Sequence, residues 1–318
     1  MGLIDHFLKY MEAVRVVSPR TLRSYSSDLK KFADFCAVRN ILPEAVQPSE
    51  IESFIADLSF SGCAAVSVNR ALSTLRGFFA WLIRFKHRAD NPCSLIKNLK
   101  TPKTLPVLLW EDEMAGFAKL PQKTGILWEE RDAALILTMY SSGMRISETL
   151  SLSLDSLEAG LGGARIIGKG NSERVVFFSA EAQEALRRYL PERAALLAAL
   201  SAETAALAAA APEAAAPKGG VEAGTGGLFI SRRGKPLSVM GARWIIGRYS
   251  DVSGLKKNVH PHAFRHSFAT HLLNGGCDIR LVQELLGHAV ISTTARYTHV
   301  TMDKLKDVYR KAHPHAKK

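Results

Sequence analysis

Over the first hundred positions, apolar residues recur at spacings of three and four, the period of helices that bury one face. In SPRTLRSYSSDLKKFADFCAVRN, Leu22, Tyr25, Leu29, Phe32 and Phe35 form one such stripe. Ser18 stands where an N-cap belongs and Pro19 where the first helical residue belongs. QPSEIESFIADLSF opens on Ser49 and Glu52, spaced as a capping box, and continues with Ile55 and Leu58. VSVNRALSTLRGFFAWLIRFKHRAD predicts a longer helix with Arg70, Arg76 and Arg84 on its polar face, stopped by Asn91-Pro92. Another short helix starts within residues 1–10. Residues 1–98 therefore read as an all-helical bundle. KNLKTPKTLP, with two prolines, three lysines and no period, reads as an exposed basic linker whose free part is 99–106.

The pattern changes from about residue 107. RDAALILTMYSSGMRISETLSLSL predicts a buried helix, a break at Ser142-Gly143 and a second helix opening at Arg145. ARIIGKGNSERVVFFS is two β-type runs around a turn at 168–173, a hairpin signal. A helix follows from Ala180. Residues 199–226 are an Ala/Pro/Gly-rich insertion, helix-prone at first and expected to be disordered after Pro212. LFIS at 228–231 looks like a third short strand, and helices follow from Leu237 to the lysine tail. The fold class is mainly α with a small β-sheet, an α+β arrangement in two domains, 1–98 and 107–318.

Composition narrows the partner. The chain has 318 residues and a formal net charge of +12. Positions 1–105 hold 15 basic and 9 acidic residues and the remainder 27 and 21, an excess of six in each. Two basic domains on one chain fit a clamp around a polyanion. The cysteines Cys36, Cys63, Cys93 and Cys277 form no CxxC pair, which suits free thiols in a reducing compartment. No apolar run spans a bilayer, and the first thirty residues lack a signal-peptide core, so the expectation is a cytoplasmic protein without a membrane.

Chemistry concentrates in HPHAFRHSFATHLL, residues 260–273, where four of the chain's ten histidines sit beside Arg265. His262 and His266 have the spacing of two ligands on one helix face. No Asp, Glu or Cys completes a ligand set in this run, however, and an adjacent guanidinium opposes a cation. His266 and His271 read as structural residues of a buried helix. His262 and Arg265 share a face, and His262 falls in the first helical turn, where free N–H groups and the helix dipole favour an anion. A phosphate site is the stronger reading. Arg145 repeats that device at another helix start, and Lys169 lies between two glycines at the hairpin tip. Taken singly, neither His288 nor Tyr297 points to chemistry.

Together, Arg145 (SSGMRISE), Lys169 (GKG), His262 and Arg265 (HAFRH), His288 (LLGH) and Tyr297 (ARYTH) resemble the tyrosine recombinase, or phage integrase, family in order and spacing. THLLNGGCDIRLVQELLGHAVISTTARYTHV is similar to its Xer branch. The likeness covers the second domain except 199–226, and the first domain more weakly. It implies a SAM-like core-binding domain followed by a catalytic domain. Tyr297 would attack the scissile phosphodiester, leaving a 3′-phosphotyrosyl bond and a free 5′-hydroxyl. Arg145 and Arg265 would hold non-bridging oxygens, His262 would handle the tyrosine proton and His288 a phosphate oxygen. Lys169 would protonate the departing 5′-oxygen, and Glu148 would orient the site. The resemblance implies no cofactor, neither ATP nor Mg²⁺.

The partner implied is double-stranded DNA carrying a pseudo-palindromic recombination site, with a tetramer on synapsed DNA. The last helix, about 302–311, would dock into a neighbouring protomer. The function implied is Xer-type resolution of chromosome dimers at a dif-like site. A second Xer recombinase and a septal DNA translocase are further partners the branch allows. The alternative is a phage or mobile-element integrase with the same chemistry. A type IB topoisomerase and a catalytically silent DNA-binding regulator fit the residues less well.

Overall fold

A computed structural model describes residues 2–102, 106–167, 173–210, 226–287 and 302–316. The chain divides into two compact units, Met1–Thr104 and Leu105–Lys318. Among the described residues, no helix is long and apolar enough to cross a membrane.

The first unit is a bundle of α1 (Leu3–Ala13), α2 (Pro19–Val38), α3 (Pro48–Phe60) and α4 (Ala65–Arg84). Its core is aromatic, with Phe7, Phe32, Phe54, Phe78 and Phe79 at most 2% exposed. Ring edges meet faces: Phe32 and Phe35 lie 5.3 and 5.2 Å from Phe54. The stripe on α2 buries Leu29, Phe32 and Phe35, with Leu22 and Tyr25 half-buried at its start. Ser18 Oγ accepts the Thr21 N–H at 3.2 Å, the cap the sequence predicts.

Three expectations shift in this unit. Helix α3 begins two residues early, because Pro48 takes the first helical position and the Glu50 carboxylate closes the box on the Gln47 N–H. Helix α4 ends at Arg84 rather than at Asn91-Pro92. Lys86 turns left-handed at φ 59°, and the Arg88 guanidinium pins the exit by donating to the Glu44 and Val46 carbonyls at 2.8 Å each. The three arginines of the polar face of α4 are tied into the bundle rather than left unpaired. Arg70 bridges to the buried Asp28 at 2.8 Å, Arg84 donates to Tyr10 Oη at 3.0 Å, and Arg76 donates to Asn98 Oδ1 and the Ile96 carbonyl. With Asn69 holding both N–H and carbonyl of Leu99, the start of the basic segment is fastened to α4.

In the second unit, α5 (Glu111–Ala118) and α6 (Leu120–Thr124) lead into α7 (Glu129–Ser142), which is buried from Arg131 to Ser142. A helix buried all round from its third residue stands at the centre, and α7 is packed by α9 (Ala180–Ala210) and α11 (Pro261–Asn274). Its two buried charges, Arg131 and Asp132, pair at 2.7 Å, and the Tyr249 hydroxyl donates to Asp132 at 3.0 Å. Short α8 (Ile146–Leu150) precedes an antiparallel hairpin, β1 (Gly163–Ile167) and β2 (Glu173–Phe177), in register Gly163↔Phe177 through Ile167↔Glu173. The remaining α-helices among the described residues are α10 (Val239–Val252), α12 (Ile279–Leu285) and α13 (Met302–Ala312).

The expected strand at 228–231 makes only isolated bridges, Ser153↔Gly227 and Ile230↔Pro236. Its apolar residues Leu228, Phe229 and Ile230 are buried as expected of a core strand. Yet much of its backbone is satisfied by side chains. The Leu228 carbonyl accepts from Tyr189 Oη and Arg193 Nε, and the Ile230 N–H donates to Tyr189 Oη, each at 3.1 Å. Helix α9 thus stands where a neighbouring strand would.

Gly143 ends α7 in the left-handed region at φ 60°, and a Cβ there would run into the Phe268 ring. Gly143→Ala should therefore cost roughly 2–5 kcal/mol, backbone strain adding to overpacking, read as a lower denaturation midpoint.

Helix α13, expected to dock on a neighbour, is seated in the single chain on its own unit. Tyr309, Ala312 and His313 are buried, and His313 lies 5.0 Å from the Tyr140 ring. Burial, then the nearby His271, pushes the His313 imidazole down to about 3 from an ordinary value of 6.5. Burial lowers His271 and His315 as well. A histidine depressed in the fold stabilises it fully above the unfolded value and loses that contribution as pH falls below it. Thermal stability should therefore drop as pH falls from about 6.5 toward 5. His313→Phe should flatten that slope; an unchanged slope refutes the assignment.

Burial also raises the thiols, Cys36 up to about 11 and Cys93 up to about 12, as expected of unreactive free cysteines.

Candidate active site

The Gly143 turn delivers Arg145 as the N-cap of α8. Glu148, three residues on, reaches back in a capping box: its Oε2 accepts the Arg145 N–H and its Oε1 accepts Arg145 Nη1, both at 2.9 Å. Helix geometry alone brings this pair together. The tertiary fold adds Arg174 from β2, whose Nη2 donates to Glu148 Oε2 at 2.8 Å. Burial pushes the Glu148 carboxyl up, but hydrogen bonds from Arg174 and the Arg145 backbone outweigh it and hold the group below its usual range. It is an anion locked between two guanidiniums.

Arg265 arrives from the second turn of α11. Its Nη1 donates to the Gly143 carbonyl and its Nη2 to the Leu286 carbonyl, each at 2.7 Å. Those carbonyls belong to the ends of α7 and α12, where helices leave acceptors unpaired. Burial first, then repulsion from Arg145, with Arg174 adding a smaller push, lowers Arg265 to about 10. Three guanidiniums thus influence one another around a single carboxylate, leaving two positive charges in excess. Among the described residues that balance favours an anion in a partly dehydrated site.

His262, at the second position of α11, is exposed and lines a concavity of about 380 Å³ with His260, Arg265, His266 and Leu286. His271 is structural, as expected: it is 1% exposed and its Nδ1 lies 2.8 Å from Tyr140 Oη. His266 is not. It is exposed and lines the same concavity, because one helical turn from His262 keeps it on the solvent face. Burial, then His262 and Arg243, lowers His260. Among the described residues no group of three or more His, Cys, Asp or Glu could hold a metal ion.

Arg145, His262 and Arg265 are thereby placed, the two arginines meeting at the Gly143 turn and His262 beside Arg265. Lys169, His288 and Tyr297 lie outside the described residues. Sequence reasoning missed Arg174. The signal was present in ERVVFF, where strand alternation sets Arg174 on the face of the buried Val176. A cation on a core face calls for a partner.

Comparison with known proteins gives the family. Residues 111–304 match the phage integrase family, and residues 4–86 match its N-terminal SAM-like domain. A protein called tyrosine recombinase XerC from Treponema denticola is 40% identical over 314 residues, covering 99% of each chain. Among solved structures, the Tn1549 transposon integrase in complex with transposon right end DNA superposes with a TM-score of 0.65 at 19% identity, over 96% of this chain and 98% of that one. The XerH site-specific recombinase bound to palindromic difH substrate gives 0.62 at 20% identity, over 96% and 80%. These two likenesses establish the mainly helical fold. The sequence matches go further: the chain belongs to the phage integrase family, as a tyrosine recombinase of the Xer branch.

Proposed function

We propose that this tyrosine recombinase resolves chromosome dimers at a dif-like site, in the cytoplasm. It would work as a tetramer on two synapsed duplexes, with or without a second Xer recombinase. Cutting and rejoining DNA belongs to the family; the chromosomal role rests on identity to relatives named XerC across nearly their whole length. One observation carries the chemistry. Arg145 and Arg265, 120 positions apart in sequence, converge on the Gly143 turn and leave a positive excess around Glu148.

The reaction follows from charge. A phosphodiester carries one negative charge and its five-coordinate transition state develops a second, so preorganised cations stabilise the transition state more than the ground state. Arg145 and Arg265 are assigned to the non-bridging oxygens. His262 is assigned to the proton of Tyr297, because a phenol near pKa 10 is a poor nucleophile while protonated. His288 is assigned to a phosphate oxygen, and Lys169 to the departing 5′-oxygen. The phosphotyrosyl bond conserves the ester's energy, so the partner strand's 5′-hydroxyl reseals it without ATP. With cations supplied by side chains, Mg²⁺ is also dispensable on this reading.

Footprinting on the host chromosome tests the biological role. The expected footprint is a single pseudo-palindrome near the replication terminus, of about two helical turns plus a spacer. A septal DNA translocase is the activator to look for there. A footprint at the end of a mobile element instead would transfer the chain to the integrase alternative. On a nicked duplex of that site, EDTA should leave the covalent protein–DNA adduct unchanged, and loss of the adduct would overturn the metal-free chemistry.

A further inference from the structure

We infer that Arg174 is a positioning residue for strand cleavage, acting through Glu148 to orient Arg145; this deepens the proposed function and rests on it. Arg174 pairs with Ile166 in the hairpin and projects on the same face as Val176, which is 2% exposed. A structural role on that face would be met by an apolar side chain of similar volume, since a buried ion pair gains little over one. Its Nη2 holds Glu148 Oε2 at 2.8 Å, the oxygen that also accepts the Arg145 N–H. The other oxygen is thereby turned to Arg145 Nη1, so Arg174 fixes the carboxylate that fixes the guanidinium.

Two further observations tie Arg174 to the site. Its like charge contributes to lowering Arg265, which places both guanidiniums in one field. Its guanidinium also lies flush against Gly287, where a Cβ would be 2.6 Å from Nη1. Gly287 is left-handed at φ 64° and directly precedes His288. One side chain therefore contacts the Arg145 anchor and the turn leading to a second assigned residue. Among the described residues, its Nε is buried without a partner.

The test uses the full chain on a nicked duplex of the footprinted site, with either a phosphodiester or an uncharged methylphosphonate at the scissile position. Removing a non-bridging charge removes much of the need for an aligned cation. Arg174→Gln should slow phosphodiester cleavage at least about 10-fold while the half-saturating DNA concentration changes less than about 2-fold. On the methylphosphonate the deficit should shrink to within about 3-fold of wild type. Arg174→Lys, which keeps charge and one donor, should fall between and show the same narrowing; it also serves if the glutamine variant does not fold. Arg145→Ala is the reference. If it cleaves the phosphodiester as fast as wild type, the proposed function fails. If it is impaired while both Arg174 variants match wild type, or lose equally on both substrates, the inference about Arg174 is overturned.

Discussion

Replacing Tyr297 with Phe is expected to abolish the covalent protein–DNA adduct on a nicked substrate, with DNA affinity within about 2-fold of wild type. The substitution removes one oxygen and little else. Duplex binding by a chain of net charge +12 rests mainly on phosphate contacts, so deleting one hydroxyl leaves it nearly intact. Covalent capture has no such redundancy. No other group on the reading above offers an oxygen to the phosphorus, and the loss should be complete rather than graded. The adduct is read on a denaturing gel and affinity by titration on the same DNA. A residual adduct with the Phe variant would move the nucleophile elsewhere and take the roles of Arg145 and Arg265 with it. A parallel loss of affinity would show that the ring oxygen serves binding instead.

Arg265→Lys should lower cleavage by roughly 10²–10³-fold with the fold retained. The guanidinium spans two carbonyls, Gly143 and Leu286, each at 2.7 Å from a different nitrogen. A planar fork meets both and keeps the rest of its edge for a phosphate, whereas one ammonium meets them in turn. Charge compounds the loss. The site already lowers Arg265 to about 10 through burial and the neighbouring Arg145. A lysine begins at least about two units below arginine and yields its proton more readily when buried. Part of the variant population would be neutral where the transition state needs a cation, so its residual activity should fall further as pH rises. Wild-type cleavage by Arg265→Lys would refute the forked geometry as the reason for arginine, and an unchanged pH profile would refute the loss of charge. Circular dichroism separates either result from unfolding.

What was legible in advance was legible for local reasons. Ser18 and Pro19 specify a helix start through their own backbone chemistry. The i and i+3 spacing of His262 and Arg265 brings them to one concavity wherever the helix lies. Arg145 and Glu148 close a capping box within one turn. The six-residue constellation carried the family because order and spacing survive without coordinates.

Other features depended on what lay across the fold. The apolar run at 228–231 looks the same whether a strand or the side chains of Tyr189 and Arg193 satisfy its backbone, and helix α9 decided between them. His266 and His271 stand on one helix, yet contact with Tyr140 buries the second while solvent takes the first. Arg70, Arg76 and Arg84 look like free cations until Asp28, Asn98 and Tyr10 are set beside them. Arg174 lies 26 positions from Glu148, a separation that neither helix nor strand period can relate. The sequence by itself determined the helical periods, the Ser18 cap and the family resemblance, because these follow from spacings along the chain. Only the tertiary structure decided which cations are paired within the bundle and which surround Glu148, because burial and charge pairing are settled by neighbours far away along the chain.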